Sequence, residues 1–193
     1  MTSFKIIKNE IKLEKEITKL DEFVLDLIGV ISKYANYVII SGYVSIFFGR
    51  ARGTEDVDMF MEEIPLKKFL AIYKELTEKG YDFTIDDAEE LYHGYLKYGL
   101  PINIWKKGFP LLRLETKFAL KMSQKMAIRE KVKVVFISHE LYFGGIESQI
   151  AYKRYIAKSD KDLKDARHLE VVFLDLSKEK IEHYRKIFEA EFK

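Results

Sequence analysis

In the segment 56–61 (DVDMFM), acidic and apolar side chains alternate. Alternation with a period of two predicts a β-strand with one face in the core. Asp56 and Asp58 then point to the same side of the strand, with Cα atoms about 6.6 Å apart, while Val57 and Met59 point to the other side. The chain must therefore build a sheet that buries one face and carries two neighbouring carboxylates on the opposite face.

Two carboxylates at this spacing repel each other unless a positive charge lies between them. Mg²⁺ or Mn²⁺ suits such a pair, because these cations prefer oxygen ligands. Mg²⁺ takes one or two carboxylates together with waters and substrate phosphates, and two such ions can hold the attacking and leaving oxygens of a displacement at phosphorus. Aspartate is also common at solvated strand edges beside turns, so the pair alone leaves that interpretation open.

The residues before the pair favour a functional site. The β-branched run Tyr37–Ile40 predicts a buried strand, which Ser41 and Gly42 end, and a short apolar helix follows. A junction of strand, small residue and helix presents free backbone N–H groups to an anion, and glycine lets the backbone approach a phosphate closely. The run 50–55 (RARGTE) then leads into the paired aspartates. The sequence thus predicts a phosphate cradle and a metal-binding pair on neighbouring strands.

The rest of the chain predicts a mixed α+β fold. An apolar stripe at spacings of three and four predicts a long first helix over about 13–36. Further strands are predicted within 81–85, 102–105, 111–119 and 131–137, and further helices within 65–80, 87–98, 141–157, 161–174 and 178–191. Because strands and helices mix first and helices alone follow, we expect a core domain over residues 1–138 and a helical C-terminal segment over 139–193 that completes the site.

Composition excludes several classes of protein. The chain has 33 Lys and Arg residues against 31 Asp and Glu, so its formal net charge of +2 cannot by itself hold a polyanion. It contains no cysteine, which excludes disulfides, cysteine-ligated metals and thiol catalysis. No apolar run reaches the roughly 20 residues of a membrane span, and residues 1–15 hold no continuous apolar core, so neither a membrane segment nor a signal peptide is expected. The cytoplasm is the expected location.

The stretch SGYVSIFFGRARGTEDVDMF, residues 41–60, resembles the signature of the nucleotidyltransferase fold of the DNA polymerase β superfamily. More narrowly, it is similar to the small prokaryotic nucleotidyltransferases related to the abortive-infection toxins, which often carry Arg-x-Thr-x-Asp-x-Asp. Here Ser41-Gly42 stands where the family usually has Gly-Gly or Gly-Ser. The resemblance implies a nucleotidyltransferase-type mixed sheet flanked by helices, Mg²⁺ or Mn²⁺ on the aspartate pair, and a nucleoside triphosphate bound through Ser41, Gly42, Arg52 and Thr54.

A second resemblance lies in ESQIAYKRYIAKSDKDLKDARHL, residues 147–169, where the same enzymes carry a helical Lys followed by a basic-Asp-x-x-Asp motif. The residues themselves are unusual, because Lys153 interrupts one apolar helical stripe and Asp162 and Asp165 lie on another, where burial without a partner is costly. Ser159 could instead cap the second helix, and Lys153 could extend its ammonium group to solvent. The resemblance implies that Lys153 holds nucleotide phosphates and that the aspartates serve the site.

The superfamily usually has a third catalytic carboxylate on a later strand, which acts as general base on the attacking hydroxyl. The predicted strand at 102–105 offers only Asn103, which cannot serve as that base. The next strand offers Glu115, which is therefore the predicted base, although an exposed glutamate paired with a neighbouring basic residue would also explain the sequence. One of the two helical aspartates, Asp162 or Asp165, is the alternative.

The resemblance implies Mg²⁺-dependent transfer of a nucleoside monophosphate to a hydroxyl of RNA or tRNA, of a protein or of a small molecule, with the toxin of a toxin–antitoxin pair and its cognate protein partner as one setting. The stretch 106–133 has nine basic and two acidic residues and predicts a nucleic-acid face, unless it is a solvated surface. Two other classes stay open. One is a catalytically silent nucleotide-binding or partner-binding module of a two-component complex, and the other is an RNA adaptor that uses the basic stretch.

Overall fold

The computed structural model describes residues 4–7, 10–54 and 56–192. The strands in these residues are β1 (Phe4–Ile7), β2 (Glu10–Leu13), β3 (Tyr37–Ile40), β4 (Asp56–Met61), β5 (Tyr81–Phe83), β6 (Ile102–Lys106), β7 (Phe109–Phe118), β8 (Val132–Phe136) and β9 (His139–Phe143). They form one mixed sheet in the order β1-β2-β8-β9-β3-β4-β7-β6-β5. The pairs β2 and β8, β3 and β9, and β4 and β7 run parallel, and the other neighbours run antiparallel.

The helices surround this sheet and continue alone after it. They are α1 (Lys19–Ile31), α2 (Gly42–Phe47), α3 (Leu66–Glu78), α4 (Ala88–Glu90), α5 (Met122–Arg129), α6 (Ile146–Tyr152), α7 (Asp160–Val172) and α8 (Lys178–Glu191). Helix α4 continues into a π-turn at Leu91–Tyr95, and α6 continues into another at Lys153–Ala157. Helix α1 packs on α3 and β7, whereas α8 contacts α5 and α6. The α+β class with a helical C-terminal part is confirmed.

Strand β4 shows the alternation of buried and accessible side chains that its sequence predicts. Val57, Met59 and Met61 are buried, while Asp56 and Asp58 are partly accessible. Burying an apolar side chain of this size stabilises the fold by about 1.5–3 kcal/mol, so this face fixes the register of the strand. The two aspartates are thereby held on the accessible face of the sheet.

The first helix is shorter than predicted. Residues 10–13 form β2, whose Ile11 and Leu13 are buried and pair in parallel register with β8, so the prediction of helix from residue 13 was wrong. Helix α1 begins after Thr18, whose side chain accepts a hydrogen bond from the Asp21 backbone N–H at 3.2 Å, and the Asp21 carboxylate accepts one from the Thr18 N–H in return. This reciprocal cap satisfies two backbone donors and sets where the helix starts.

The start of the C-terminal helical part also differs from the prediction. Residues 139–143, expected to begin the helical part, form the strand β9 between β8 and β3, because Leu141 and Phe143 face the core. The helices therefore begin at Ile146. The division into a core of residues 1–138 and a segment of residues 139–193 stays a prediction.

None of the helices in the described part of the chain has the length and apolar character that crossing a membrane requires. The prediction about a signal peptide concerned residues 1–15, of which 1–3, 8 and 9 lie outside the described residues.

Candidate active site

Three carboxylates meet on the accessible face of the sheet. In the parallel register of β4 and β7, Asp58 lies opposite Glu115, and Asp56 lies opposite Arg113. Neighbouring strands are about 4.8 Å apart, so Asp58 has a carboxylate beside it along the strand and another across the ladder. On the far side of Glu115, the antiparallel register of β6 and β7 places Asn103. The residue predicted as general base therefore lies next to the predicted metal-binding pair.

The environment favours the protonated form of two of these groups. Burial raises the pKa of Asp58, and the charge of Asp56 raises it further, while Ser41, Lys153 and Lys117 act in the opposite direction. Burial likewise raises the pKa of Glu115, and Asp58 adds to this effect against Lys117. Both shifts arise first from burial of the carboxyl group and then from the neighbouring negative charge. A cation or a proton is thus favoured at this place.

Asp56 differs from its neighbour because it has a basic partner. Its Oδ1 accepts a hydrogen bond from Arg113 Nε at 2.9 Å, and its side chain is 45% exposed. No lysine or arginine of the described residues lies within ion-pair distance of Asp58. The pair therefore consists of one solvated, partnered carboxylate and one more enclosed carboxylate.

The turn after β3 carries a strained residue beside this pair. Ser41 has φ 66° and ψ −135°, a backbone region that favours glycine and costs another residue about 1–3 kcal/mol. Its N–H donates to Gln149 Oε1 at 2.9 Å, which holds the turn against α6. Gly144 makes room for that glutamine, because a Cβ on Gly144 would lie 2.5 Å from Gln149 Nε2. Strain of this kind concentrates at functional sites, where the surrounding structure enforces it.

A buried carboxylate gathers three cations behind the turn. Asp165 is fully buried, and it accepts from Arg50 Nη1 at 2.5 Å, Arg52 Nη1 at 2.8 Å and Lys153 Nζ at 2.9 Å. Arg52 also lies flat against the backbone at Gly42, where a Cβ would be 3.0 Å from its Nη2. Three positive charges against one enclosed carboxylate leave a surplus of positive charge beside Gly42, which suits phosphate.

Lys153 is itself almost completely buried, with 2% of its side chain exposed. It is the first residue of the π-turn that follows α6, an irregularity often found at functional sites. Besides Asp165, its Nζ contacts Asp162 Oδ1 at 3.4 Å. Asp162 lies in the first turn of α7, where Ser159 caps the helix by accepting from the Asp162 N–H at 3.2 Å. The helix cap and the contact with Lys153 therefore occur together.

These groups border a cleft of about 450 Å³, a size that accommodates a drug-sized molecule. Its polar and charged lining residues include Ser41, Asp58, Glu115, Lys117, Lys153 and Asp162. Its apolar lining residues include Tyr98, Leu120, Tyr152, Phe188 and Phe192. The cleft thus lies between the accessible face of the sheet and the C-terminal helices.

The structure distributes the predicted site residues over three places. Ser41, Asp58, Glu115, Lys153 and Asp162 line the cleft. Asp56 lies beside them on β4, and Gly42, Arg52 and Asp165 form the layer behind the turn. Thr54 lies apart from both, because its hydroxyl donates to the Asp56 backbone oxygen at 2.9 Å and so shapes the entry to β4.

Sequence reasoning missed several residues of this region. Arg50 stands two positions before Arg52, a spacing that could have signalled a shared partner. Gln149 and Tyr152 stand four and one positions before Lys153, and both line the cleft. The sequence does not predict that Phe188 in α8 and Phe192 directly after it line the cleft, because their position there depends on the fold of the whole chain.

The basic residues of the stretch 106–133, which predicted a nucleic-acid face, lie in different parts of the structure. Arg113 contacts Asp56, whereas Lys117 and Lys121 line the cleft. Lys125 and Arg129 lie on α5 beside a second depression that also holds acidic side chains. The stretch therefore contributes to three different surroundings.

The carboxylates of the site can be compared with what a divalent metal requires. No group of three or more His, Asp or Glu side chains in residues 4–7, 10–54 and 56–192 is arranged to hold an ion by itself. Two oxygen-bearing carboxylates on one strand, one of them with a raised pKa and no ion-pair partner, still suit Mg²⁺, which completes its shell with water and substrate phosphate. The residues fit an ion that binds together with a nucleotide.

Comparison with solved structures identifies the fold. The chain is similar to the antibiotic-resistance factor ANT(2″)-Ia, with a TM-score of 0.53 and 17% identity over 89% of this chain and 94% of that one. It is also similar to the lincosamide antibiotic adenylyltransferase LnuA in its lincomycin-bound form, with a TM-score of 0.52 and 11% identity over 82% of this chain and 100% of that one. No family model matches the sequence, and no curated protein matches it significantly. The expected nucleotidyltransferase fold is confirmed.

Proposed function

We propose that the protein is a nucleotidyltransferase that moves a nucleoside monophosphate from a nucleoside triphosphate to a hydroxyl acceptor. The observation that carries this proposal is the cleft in which Asp58 and Glu115 lie side by side and opposite a cluster with surplus positive charge. Carboxylates for a metal and cations for phosphates are the two parts that phosphoryl-type transfer requires. A silent nucleotide-binding module would also need these two parts, but it would not need a further carboxylate such as Glu115 beside Asp58.

Asp56 and Asp58 would hold Mg²⁺ or Mn²⁺, which neutralises charge on the phosphates and on the leaving group. The start of α2 at Gly42 would receive the outer phosphates through its backbone N–H groups, since the Ser41 N–H already donates to Gln149 Oε1. Lys153 and Arg52 would balance their charge from behind. We assign Asp165 a positioning role, because its carboxylate is already engaged by three cations and is closed to solvent.

Glu115 would act as general base. Its raised pKa brings it nearer to neutral pH, where proton acceptance is most effective. The acceptor hydroxyl oxygen forms a bond to the α-phosphorus, and its proton goes to the Glu115 carboxylate. The bond between the α-phosphorus and the bridging oxygen breaks, and its electron pair leaves with pyrophosphate.

The identity of the acceptor, a protein partner and a toxin role stay predictions. RNA as acceptor depends on the stretch 106–133, whose basic residues occupy separate surroundings. A cognate protein partner and a toxin role depend on the resemblance alone. A catalytically silent module is the second candidate, and the same assay separates it from the enzyme.

The test is a transfer assay with each α-labelled nucleoside triphosphate, Mg²⁺ or Mn²⁺, and separate pools of RNA, protein and small molecules from a cell extract. Asp58→Asn is the inactivating variant, and Asp175→Asn, an exposed aspartate outside the cleft, is the matched control. We expect the wild type and the control to move label and Asp58→Asn to lose at least about 100-fold in rate. Nucleotide binding without transfer to any pool would favour the silent module, and absence of metal-dependent nucleotide binding by calorimetry would contradict the proposal.

A further inference from the structure

Exposed aromatic side chains gather around the cleft. Tyr98 is 77% exposed, Phe192 41% and Tyr152 39%, and all three line it. Large apolar side chains are normally scattered singly over a protein surface, so such a group around one concave site marks a place where a ligand covers them. Phe109, which is 72% exposed, lies elsewhere on the β6–β7 hairpin.

The aromatic wall of the cleft consists of Tyr98, Tyr152, Phe188 and Phe192, and the last three are held by contacts with one another. The ring of Tyr152 meets Phe188 edge to face at 5.5 Å and Phe192 at 5.7 Å between centroids. Helix α8 is held in place by Glu191, whose Oε2 accepts from the Ser123 N–H at 3.0 Å. Aromatic rings in fixed relative positions offer a surface on which another planar ring can pack at low entropic cost.

Two lysines lie beside this wall, and one of them, Lys117, is near enough to Asp58 and Glu115 to act on both by its charge. Lys117 lies over the ring of Phe60 at 5.7 Å, and Lys121 lies over the ring of Phe192 at 4.7 Å. Neither makes an ion pair within the described residues. An ammonium group above an aromatic ring keeps most of its charge available, so this side of the cleft favours an anion and disfavours a cation.

The part of the cleft beside Lys117, Lys121 and the aromatic wall would hold the acceptor rather than the triphosphate. The attacking hydroxyl must lie against Glu115, and β7 runs from Glu115 to Lys117 and on toward Leu120 and Lys121. Of the cations assigned to the phosphates, Arg52 lies against Gly42 in the turn after β3, and Lys153 shares the Asp165 carboxylate with it. The body of the acceptor therefore extends along the lysines and toward the aromatic wall.

We propose that the acceptor is a small molecule that carries a planar aromatic ring, a hydroxyl group and an anionic group. This inference rests on the proposed function, because the position of the acceptor follows from the role of Glu115. The ring would pack against Tyr98 and Phe192, and the anionic group would meet Lys121 or Lys117. A polycationic acceptor does not suit these contacts.

The test measures the binding of 6-hydroxynaphthalene-2-sulfonate to the nucleotide-free protein by fluorescence anisotropy. We expect Tyr98→Ala and Phe192→Ala each to weaken binding about 5- to 10-fold, as loss of a stacked ring does. Phe109→Ala is the matched control and should bind as the wild type does. Lys121→Gln should weaken the sulfonate about threefold and leave neutral 2-naphthol unchanged, while Lys186→Gln on the exposed side of α8 should change neither.

Other outcomes would overturn the inference. These are absence of binding, equal effects of Tyr98→Ala and Phe109→Ala, or tighter binding of cationic tyramine or of lincomycin than of the sulfonate. Tyr98 is exposed, so loss of folding cannot account for its effect. Calorimetry with Mg²⁺ and each nucleoside triphosphate separates the two proposals: a protein that binds a triphosphate but no ring refutes the acceptor class alone. A protein that binds the ring but none of the triphosphates refutes the proposed function and supports the ring site.

Discussion

Asp58 is the residue at which function and stability oppose each other. It faces Glu115 across the ladder and Asp56 along its own strand, and no basic residue in the described part of the chain forms an ion pair with it. The sequence places Asp58 on the accessible face through the alternation with Val57 and Met59. Its enclosure, however, comes from a strand and helices that are distant in sequence, so the raised pKa could not be predicted.

We expect Asp58→Asn to raise the melting temperature of the nucleotide-free protein at pH 7.5 by about 2–4 °C, the shift that 1 kcal/mol produces in a chain of this size. Burial raises the pKa of Asp58 in the folded state. The ionised carboxylate therefore opposes folding once the pH exceeds its unfolded pKa, and the opposition grows until the pH exceeds the folded pKa. The gain should disappear near pH 3, where the carboxyl group is protonated in both states.

Thermal unfolding of both proteins across this pH range measures the effect, with Asp175→Asn as the control. Mg²⁺ together with a nucleoside triphosphate should in turn stabilise the wild type more than the variant, because binding to the native state alone raises its stability. An Asp58→Asn protein that is less stable at pH 7.5, or whose gain is largest in acid, would contradict this account of the site.

At the scale of elements, Asp165 joins three parts of the chain. It lies on α7, Lys153 begins the π-turn after α6, and the two arginines belong to the segment between α2 and β4. The apolar stripe of α7 predicted that this aspartate faces inward. The pairing of Lys153 with Asp165 could be inferred from their spacing on neighbouring helices. The two arginine partners could not be predicted, because they come from a loop more than one hundred residues earlier.

The elements that sequence patterns misplaced share one physical cause. The stripe that predicted a helix from residue 13 includes Leu13, whose burial comes from pairing in β2 beside β8. Strand β9 has only Leu141 and Phe143 as its buried pair, and it becomes a strand through hydrogen bonding to β8 and β3. Short strands take their stability from non-local partners, which local periodicity does not report.

We expect Asp165→Asn to destabilise the protein by about 3–5 kcal/mol, the cost of leaving enclosed cations without their counter-charge. Urea unfolding at neutral pH measures this loss. Lys153→Met is the matched comparison: it removes one cation and leaves Asp165 with both arginines, so its cost should be smaller. If Asp165→Asn were as stable as the wild type, the carboxylate would not hold the cluster together.

At the scale of the whole molecule, the cleft exists because the last helix returns to the middle of the chain. Ser123 in the first turn of α5 and Glu191 at the end of α8 are 68 residues apart in sequence, and the carboxylate accepts from the Ser123 N–H. The sequence predicted α8 over the same residues, 178–191, and predicted the carboxylates of the sheet. It could not predict that aromatic side chains line the cleft, because α8 and the sheet can each be predicted but their packing against each other cannot.

We expect Glu191→Ala to loosen α8 without unfolding the sheet. The variant loses the hydrogen bonds that the carboxylate accepts from the Ser123 N–H and hydroxyl, and hydrogen bonds to charged groups contribute about 1.5–3 kcal/mol each. Hydrogen exchange should therefore speed up by about 10-fold or more in residues 178–192, and stay unchanged in β4 and β7. Glu189→Ala is the control, because the one ion-pair partner of Glu189 among residues 4–7, 10–54 and 56–192 is Arg185 on the same helix. Equal acceleration in both variants would mean that helix propensity, and not the contact with α5, holds the wall of the cleft.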